Sequence, residues 1–354
     1  MILEKILESY PTQAKKERDF KIQLDSKTLI YGGFSIGKTS IVLNYFEKEE
    51  FKNYKKLYID LEDIRLNPKK DLENLQEFLE KEKIQVLILD NFSQEFLKTL
   101  PKNKLRFLAL ISNYPLDVSD FTLLEIPPLS FSEFYKLQKT PIDLSFNSYL
   151  RFGNILEQNK GYFLKGKLKD SSDFWILRSL ILHLGQKVSI YQIFTKLKKE
   201  GRISKDRFYE FCKMLESSKM LFWVNKFEHK LAPKKLYFWD FTLKNAISYE
   251  KNFTLLFENM VFLELIFNFK LEVFYSDKLD FYIPKLNLGI LCCPFVQNLQ
   301  IRLSKIGKER EFCDSLLIIT LNDKKSGEFQ GMPYIITSFS AFALKGASIL
   351  SHNI

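Results

Sequence analysis

Histidine and cysteine are scarce in this chain, at 3 and 4 of 354 residues. Cys212, Cys292, Cys293 and Cys313 form no C-x-x-C pair, and His183, His229 and His352 stand alone. The paired ligand spacing of a zinc site is therefore missing. A disulfide scaffold is excluded by the same scarcity in so long a chain. Long apolar runs are absent too: no stretch reaches the ~18 uncharged apolar residues of a membrane helix. The first residues, Met1-Ile2-Leu3-Glu4-Lys5, bring an acid where a secretory leader has its apolar segment. A cytoplasmic protein with no membrane partner is the expectation. Arginine is the minor basic residue, nine of 53, so most of the positive charge is the point charge of Lys rather than a planar fork.

What is present is ordinary for a folded protein, with 46% hydrophobic and 27% charged residues. The length exceeds the ~250–300 residues at which single cores stop growing, so two or three domains are expected. A net charge of +10 permits an anionic partner without requiring one.

Along the chain, a short helix is expected at 1–9, ended by Pro11, and a charged linker runs from Lys15 to Asp19. Apolar strands are expected at 27–31, 56–61, 84–89 and 105–111, with helices at 38–50 and 69–82 between them. Near-continuous apolar strands alternating with helices predict an α/β domain with a parallel sheet covered on both faces. After Pro127-Pro128 the texture changes, and 130–165 reads as a helical bridge. Helices near 174–185, 190–200 and 205–218 precede a hairpin pairing 221–226 with 235–240, the pattern of a winged helix. An apolar helix at 253–269 leads to short strands near 272–275, 279–283, 288–293 and 315–320.

One motif carries chemistry plainly. Gly32-Gly33-Phe34-Ser35-Ile36-Gly37-Lys38-Thr39 fits G-x-x-x-x-G-K-[ST], with a strand before it and a helix after it. Glycines at 32 and 37 let the backbone curl and turn its N–H groups toward phosphate, and the helix start adds its positive dipole end. The expected ligand is ATP, held by residues 32–39 and the adjoining Ser40, with Lys38 on the β and γ phosphates. Thr39 is expected to hold Mg2+ through its hydroxyl. Asp90 ends the strand Val86-Leu87-Ile88-Leu89 at the sheet edge where ligands gather, and is the second expected Mg2+ contact. Ser112 and Asn113 end the next strand; either orients water or γ-phosphate, or caps the turn before Tyr114-Pro115. Arg106 and Arg151 are two further charge-stabilising candidates.

Taken together, these segments resemble a group of AAA+-like bacterial and archaeal P-loop ATPases. In that group the C-terminal half is a winged helix followed by a restriction-endonuclease-like fold. The resemblance covers about residues 20–295 and rests on the phosphate loop, on 86–90 and on two further segments. Ile126-Pro127-Pro128-Leu129-Ser130-Phe131-Ser132-Glu133-Phe134 is similar to the family's P-L-S-F-x-E-F signature, and Leu256 to Leu265 to its E-N-x-V-x-x-E-L helix. Ser130 or Ser132 is expected to cap the helix that follows the prolines. The resemblance implies a P-loop core with helical bridge at 20–165 after an N-terminal helix and linker at 1–19. It further implies a winged helix at 166–245 and a nuclease-like α/β domain at 246–354.

Two departures from the family bear on activity. Many AAA+ ATPases carry Glu after the strand-end Asp as the base that polarises water; here it is Asn91. An amide cannot accept that proton, and loss of a general base costs on the order of 10²–10⁴ in rate. Slow hydrolysis is expected, or substitution by Glu95 from the following turn. In the nuclease-like half, Asp280 matches a metal-binding acid, but Gly289 to Pro294 lacks the carboxylate and Lys of the E-x-K strand. Glu258, Glu264 and Asp280 alone make a thin metal site, so no nuclease activity is expected.

The winged-helix region is basic, with Lys196, Lys198, Lys199, Arg202, Lys205, Arg207 and Lys213, and Lys230, Lys234 and Lys235 on the wing. This raises DNA as a partner. Winged helices also serve as protein contacts, so a protein partner or a second copy of the chain is the alternative. The sequence thus points to a nucleotide-gated ATPase switch. A nucleic-acid-binding protein with a regulatory or vestigial P-loop is the competing reading.

Overall fold

The computed structural model describes residues 2–11, 18, 20–101, 105–154, 160–168, 170–201, 203–250, 252–306 and 313–351. Most of the expected linker at 15–19, Arg202 and His352 lie outside the described residues. The chain forms two compact units, Met1–Pro127 with Ser217–Lys219, and Pro128–Glu216 with Met220–Ile354. Among the described residues no helix is long and apolar enough to cross a membrane.

The first unit begins with α1 (Ile2–Glu8). Its sheet contains β1 (Lys27–Tyr31), β2 (Lys56–Asp60), β3 (Val86–Asp90), β4 (Phe107–Ser112) and β5 (Thr122–Glu125). The order is β2-β3-β4-β1-β5 and every pairing is parallel. Every residue of β3 is buried, which explains its unbroken apolar run. Helix α2 (Lys38–Phe46) buries Ile41, Val42, Tyr45 and Phe46, and the Phe46 ring meets Phe51 and Phe107 edge-on at 5.2 and 5.5 Å. The helix expected at 69–82 divides into α3 (Pro68–Asp71) and α4 (Leu75–Lys81), with Asn74 at the second N-cap. The crossover from β1 to β2 passes two strands, and the C-terminal ends of β1, β3 and β4 share one edge.

The second unit opens with α5 (Phe131–Gln138), α6 (Ile142–Phe152), α7 (Lys160–Lys167) and α8 (Ser171–Leu182). Strand β6 (Lys187–Val188), α9 (Ile190–Glu200), α10 (Lys205–Ser217), β7 (Leu221–Val224) and β8 (Lys234–Phe238) follow. The three strands pair antiparallel in the order β6-β8-β7. Next come α11 (Leu243–Ile247) and α12 (Phe253–Leu263). The last elements are β9 (Phe281–Ile283), β10 (Leu288–Cys292), α13 (Leu299–Ser304), β11 (Ser315–Thr320), β12 (Lys325–Phe329), β13 (Met332–Ser338) and α14 (Phe339–Ser351). These five strands form a mixed sheet, β12-β13-β11-β10-β9, parallel at its centre and antiparallel at both edges.

By their packing, the helices of 130–165 group with the second unit. Buried polar bonds explain this. Glu264 Oε1 accepts from the N–H of Phe131 at 2.8 Å, placing a carboxylate at the start of α5. Lys160 Nζ donates to Asp240 Oδ2 at 2.6 Å and Thr242 Oγ1 at 2.5 Å. Ser130, not Ser132, caps α5: its hydroxyl accepts from the Glu133 N–H while Glu133 accepts from the Ser130 N–H, both at 3.2 Å. The apolar helix expected at 253–269 ends at Leu263 and continues as a π-helical turn, Glu264–Asn268.

Candidate functional site

The loop after β1 has the backbone that its glycines foretell. Gly32 lies at φ 151° and Gly37 at φ 90°, and Ser35 between them is also left-handed at 53°. At Gly32 a Cβ would overlap the carbonyl oxygen of Ile126, just past β5. Phe34 and Ile36 are buried and anchor the loop, Ser35 is exposed, and Gly33 is covered. Gly37 is the N-cap of α2, so Lys38, Thr39 and Ser40 form its first turn.

Lys38 is buried, and its ammonium donates to the carbonyls of Gly32 at 2.9 Å and Gly33 at 2.7 Å and to Asn113 Oδ1 at 3.0 Å. Its charge thus sits inside the curl of its own loop. Thr39 Oγ1 donates to Asp90 Oδ2 at 2.6 Å. Tyr58 OH donates to the same oxygen at 2.9 Å, and the Asn91 N–H donates to Asp90 Oδ1 at 2.7 Å. Burial raises the Asp90 carboxyl above the usual carboxylate range; the Thr39, Tyr58 and Asn91 bonds pull it back, and the nearby charge of Asp60 adds to the rise. The Tyr58 phenol is raised as well, by burial first and then by Asp90.

The structure therefore brings Lys38, Thr39, Asp90 and Asn113 together. Ser112 instead accepts the Tyr114 N–H at 3.2 Å, in the turn that follows β4. Glu95 stays in an exposed 3₁₀ turn, where Ser93 Oγ donates to it at 3.1 Å. Arg106 precedes β4, at the sheet edge opposite the phosphate loop, and binds the Tyr54 hydroxyl at 3.3 Å. Because β4 runs parallel to β1, Arg106 lies away from the phosphate loop of its own chain. Arg151 covers the Phe152 ring at 5.4 Å. Three residues of this region, Tyr58, Asp60 and Arg18, were not singled out from sequence. Tyr58 and Asp60 lie within β2 with no motif around them. Arg18, outside every motif, donates from Nη1 to Ile36 O at 2.6 Å and Pro127 O at 2.9 Å.

A second polar group lies in the other unit. Glu258 Oε1 accepts from Lys235 Nζ at 2.6 Å and from the Tyr237 hydroxyl. Asp280 Oδ2 accepts from Arg302 Nη2 and from the Cys292 N–H, each at 2.7 Å, and its other oxygen is 3.8 Å from Lys235. Glu258 and Asp280 meet, therefore, but around Lys235 and Arg302, and Glu264 is engaged elsewhere, on Phe131 and on Asn268 at 2.9 Å. Burial raises Glu258, and raises Glu264 to about 7. Asn259 binds Phe238 of β8 twice, accepting its N–H at 2.8 Å and donating to its carbonyl at 2.9 Å.

The same contacts thin the basic surface. Lys235 is buried against Glu258, and Arg207 is held on Asp173 at 2.6 Å. Lys235 leaves the expected phosphate-facing set because it neutralises an acid inside the fold, and Arg207, half-exposed, is already paired with Asp173. Lys196, Lys198, Lys199, Lys205, Lys213 and Lys230 are exposed.

No family model matches the chain. An uncharacterized protein of Methanocaldococcus jannaschii is 25% identical over 230 residues, covering 53% of this chain and 51% of that protein. The chain thus spans about half the length of the curated relative it matches. Among solved structures it is similar to the Walker-type ATPase of Pyrococcus abyssi, with TM-score 0.42 and 12% identity over 69% of this chain and 93% of that one. It is also similar to the replication initiator DnaA bound to AMPPCP and single-stranded DNA, with TM-score 0.27 and 15% identity over 62% and 87% of the two chains. Likeness at this level leaves residue roles to the geometry of the chain itself.

Proposed function

We propose that the chain is an ATP-binding, slowly hydrolysing AAA+-like ATPase that works as a nucleotide-gated switch. The observation that carries this reading is the Lys38 ammonium gathered onto Gly32, Gly33 and Asn113 beside the Thr39–Asp90 pair. A phosphate entering the loop takes that ammonium as its charge partner, and the N–H groups at the start of α2 as donors. The Thr39 hydroxyl and the Asp90 carboxylate, 2.6 Å apart, are hard oxygen donors that suit Mg2+. Bound there, Mg2+ would neutralise phosphate charge. Gating follows from the other side of the loop. Gly32 touches Ile126, and Arg18 ties Ile36 to Pro127, so a shift of the loop on γ-phosphate binding pulls on the segment leaving β5.

Calorimetry with Mg2+-ATP tests this reading. Wild type should bind, and Lys38→Ala should weaken binding by at least about tenfold, the worth of one charged hydrogen bond or more. No heat of binding in the wild type would dismiss it.

The six exposed lysines favour a second reading: a nucleic-acid-binding protein using residues 166–245 as a winged helix, without nuclease activity and with a regulatory or vestigial P-loop. If all six met phosphates, duplex affinity would fall with about the fifth power of salt. Fluorescence anisotropy with a labelled duplex at two salt concentrations decides it. Weak binding with no salt slope would discard this reading.

A further inference from the structure

The nucleotide reading leaves one role unfilled, the acceptor for the proton of the attacking water. Asn91 is an amide, and Glu95 lies at an exposed rim. Yet a carboxylate stands beside Asn91. Asp60 ends β2, in register with Asp90 across the parallel pair. Asn91 Nδ2 donates to Asp60 Oδ1 at 2.7 Å, and the Glu62 N–H donates to the same oxygen at 3.0 Å. The other oxygen, Oδ2, takes no hydrogen bond among the described residues. Asn91 holds this position with φ 51°, a left-handed backbone that Asn tolerates better than Glu does. The carboxylate thus comes from β2, and the amide one residue past Asp90 grips it by one oxygen.

We propose that Asp60 is the general base of ATP hydrolysis in this chain and that Asn91 is its positioning residue; this rests on the nucleotide reading above. In the step, a water hydrogen-bonded to Asp60 Oδ2 attacks the γ-phosphorus. The new oxygen–phosphorus bond forms as the bond from γ-phosphorus to the β,γ-bridging oxygen breaks. That electron pair leaves on the β-phosphate of ADP, the water proton passes to Asp60 Oδ2, and ADP and inorganic phosphate result. Lys38, already on Asn113 at the end of β4, would stabilise the charge that develops. Asp is one methylene shorter than Glu, which accords with a slow rate.

The test uses the full chain. Mg2+-ATP binding is measured by calorimetry, phosphate release under single-turnover conditions, and binding of ADP with aluminium fluoride as a transition-state mimic. Asp60→Asn keeps an oxygen for Asn91 to bind, so the variant should fold. It should retain ATP affinity within about threefold and lose turnover by about 10²–10³-fold, with a parallel loss of aluminium fluoride complex. Asn91→Ala should lower kcat by about tenfold and leave KM unchanged, a split that a folding defect would not produce. Turnover that survives Asp60→Asn, or that falls in Glu95→Gln instead, would overturn the proposal. So would a wild type that binds ATP and never releases phosphate, while leaving nucleotide binding in place. Failure to bind ATP removes the nucleotide reading, and the proposal with it.

Discussion

Replacing Lys235 by Met is the sharpest probe of the second unit. The side chain is 7% exposed and that of its partner Glu258 6%, with 2.6 Å between their charged atoms. Desolvation opposes the charge on both, yet Lys235 is raised above its ordinary value, because Glu258 and Asp280 outweigh its burial. Met has nearly the volume of Lys, so the substitution removes charge rather than packing. It leaves Glu258 buried with only the Tyr237 hydroxyl as donor, and breaking such a pair on one side costs about 3–5 kcal/mol. Glu258→Leu should cost a similar amount, because Lys235 keeps only long contacts to Asp280, 3.4 Å to its carbonyl and 3.8 Å to a carboxylate oxygen. The double variant should be far less unstable than the sum, with a coupling of about 3 kcal/mol or more. It still leaves the Tyr237 hydroxyl without its acceptor, worth about 1–3 kcal/mol. Adding Tyr237→Phe should recover most of that. The assay is equilibrium urea unfolding followed by Trp fluorescence. All three Trp, at 175, 223 and 239, belong to the second unit, so the signal ignores the first. Single variants costing under about 1 kcal/mol, or costs that simply add, would refute the reasoning.

Glu264 offers a pH test with a definite sign. Its folded value is raised from 4.5 to about 7 by burial, so the folded state holds the proton more tightly. Its contribution is full below about pH 4.5 and is lost as pH rises through about 7, a change of about 3 kcal/mol that Glu264→Gln should erase from the Trp-monitored unfolding profile. Equal slopes in wild type and variant would contradict it. Ser130→Ala should cost about 1 kcal/mol through the lost cap, while Ser132→Ala should cost a few tenths at most, read in the same assay. Gly32→Ala, at φ 151° and against Ile126, should strain the phosphate loop by about 1–3 kcal/mol and weaken Mg2+-ATP binding in calorimetry; unaltered affinity would show that the loop yields. Millimolar Mg2+ or Mn2+ should leave unfolding of the second unit unchanged, because Lys235 and Arg302 already neutralise Glu258 and Asp280; a stabilising shift would mean that the carboxylates release their cations for metal.

Much of the first unit was legible because its signals are local. A buried parallel strand such as Val86–Asp90 reads as an apolar run, and the phosphate loop carries its glycines where the backbone turns left-handed. Four residues singled out from motif and strand ends, Lys38, Thr39, Asp90 and Asn113, meet in space for that reason. Illegible parts depend on partners far along the chain. Lys235 looks like a wing lysine until α12 brings Glu258 to it, and Arg207 looks like a groove contact until Asp173 takes it. Strands β12 and β13 and helix α14 went unseen: β12, Lys-Ser-Gly-Glu-Phe, is an exposed edge with no apolar alternation.

The two segments 126–134 and 256–265 show how one bond gives distant stretches of sequence a physical meaning. Glu264 supplies a carboxylate to the N–H of Phe131 at the start of α5, while Glu258 and Asn259, on the preceding α12, hold side chains and backbone of β8. Each acid or amide satisfies donors that burial would otherwise leave unpaired, which is reason enough for their identity. Polar residues that do such work need no substrate. The contrast with Asp60 is the useful one: one of its oxygens is fully engaged, by Asn91 and Glu62, while the other takes no bond among the described residues, at the strand edge that Asp90 shares. A carboxylate half spent on the fold and half left over, in register with Asp90 at the strand end, differs in this from Glu258 and Glu264.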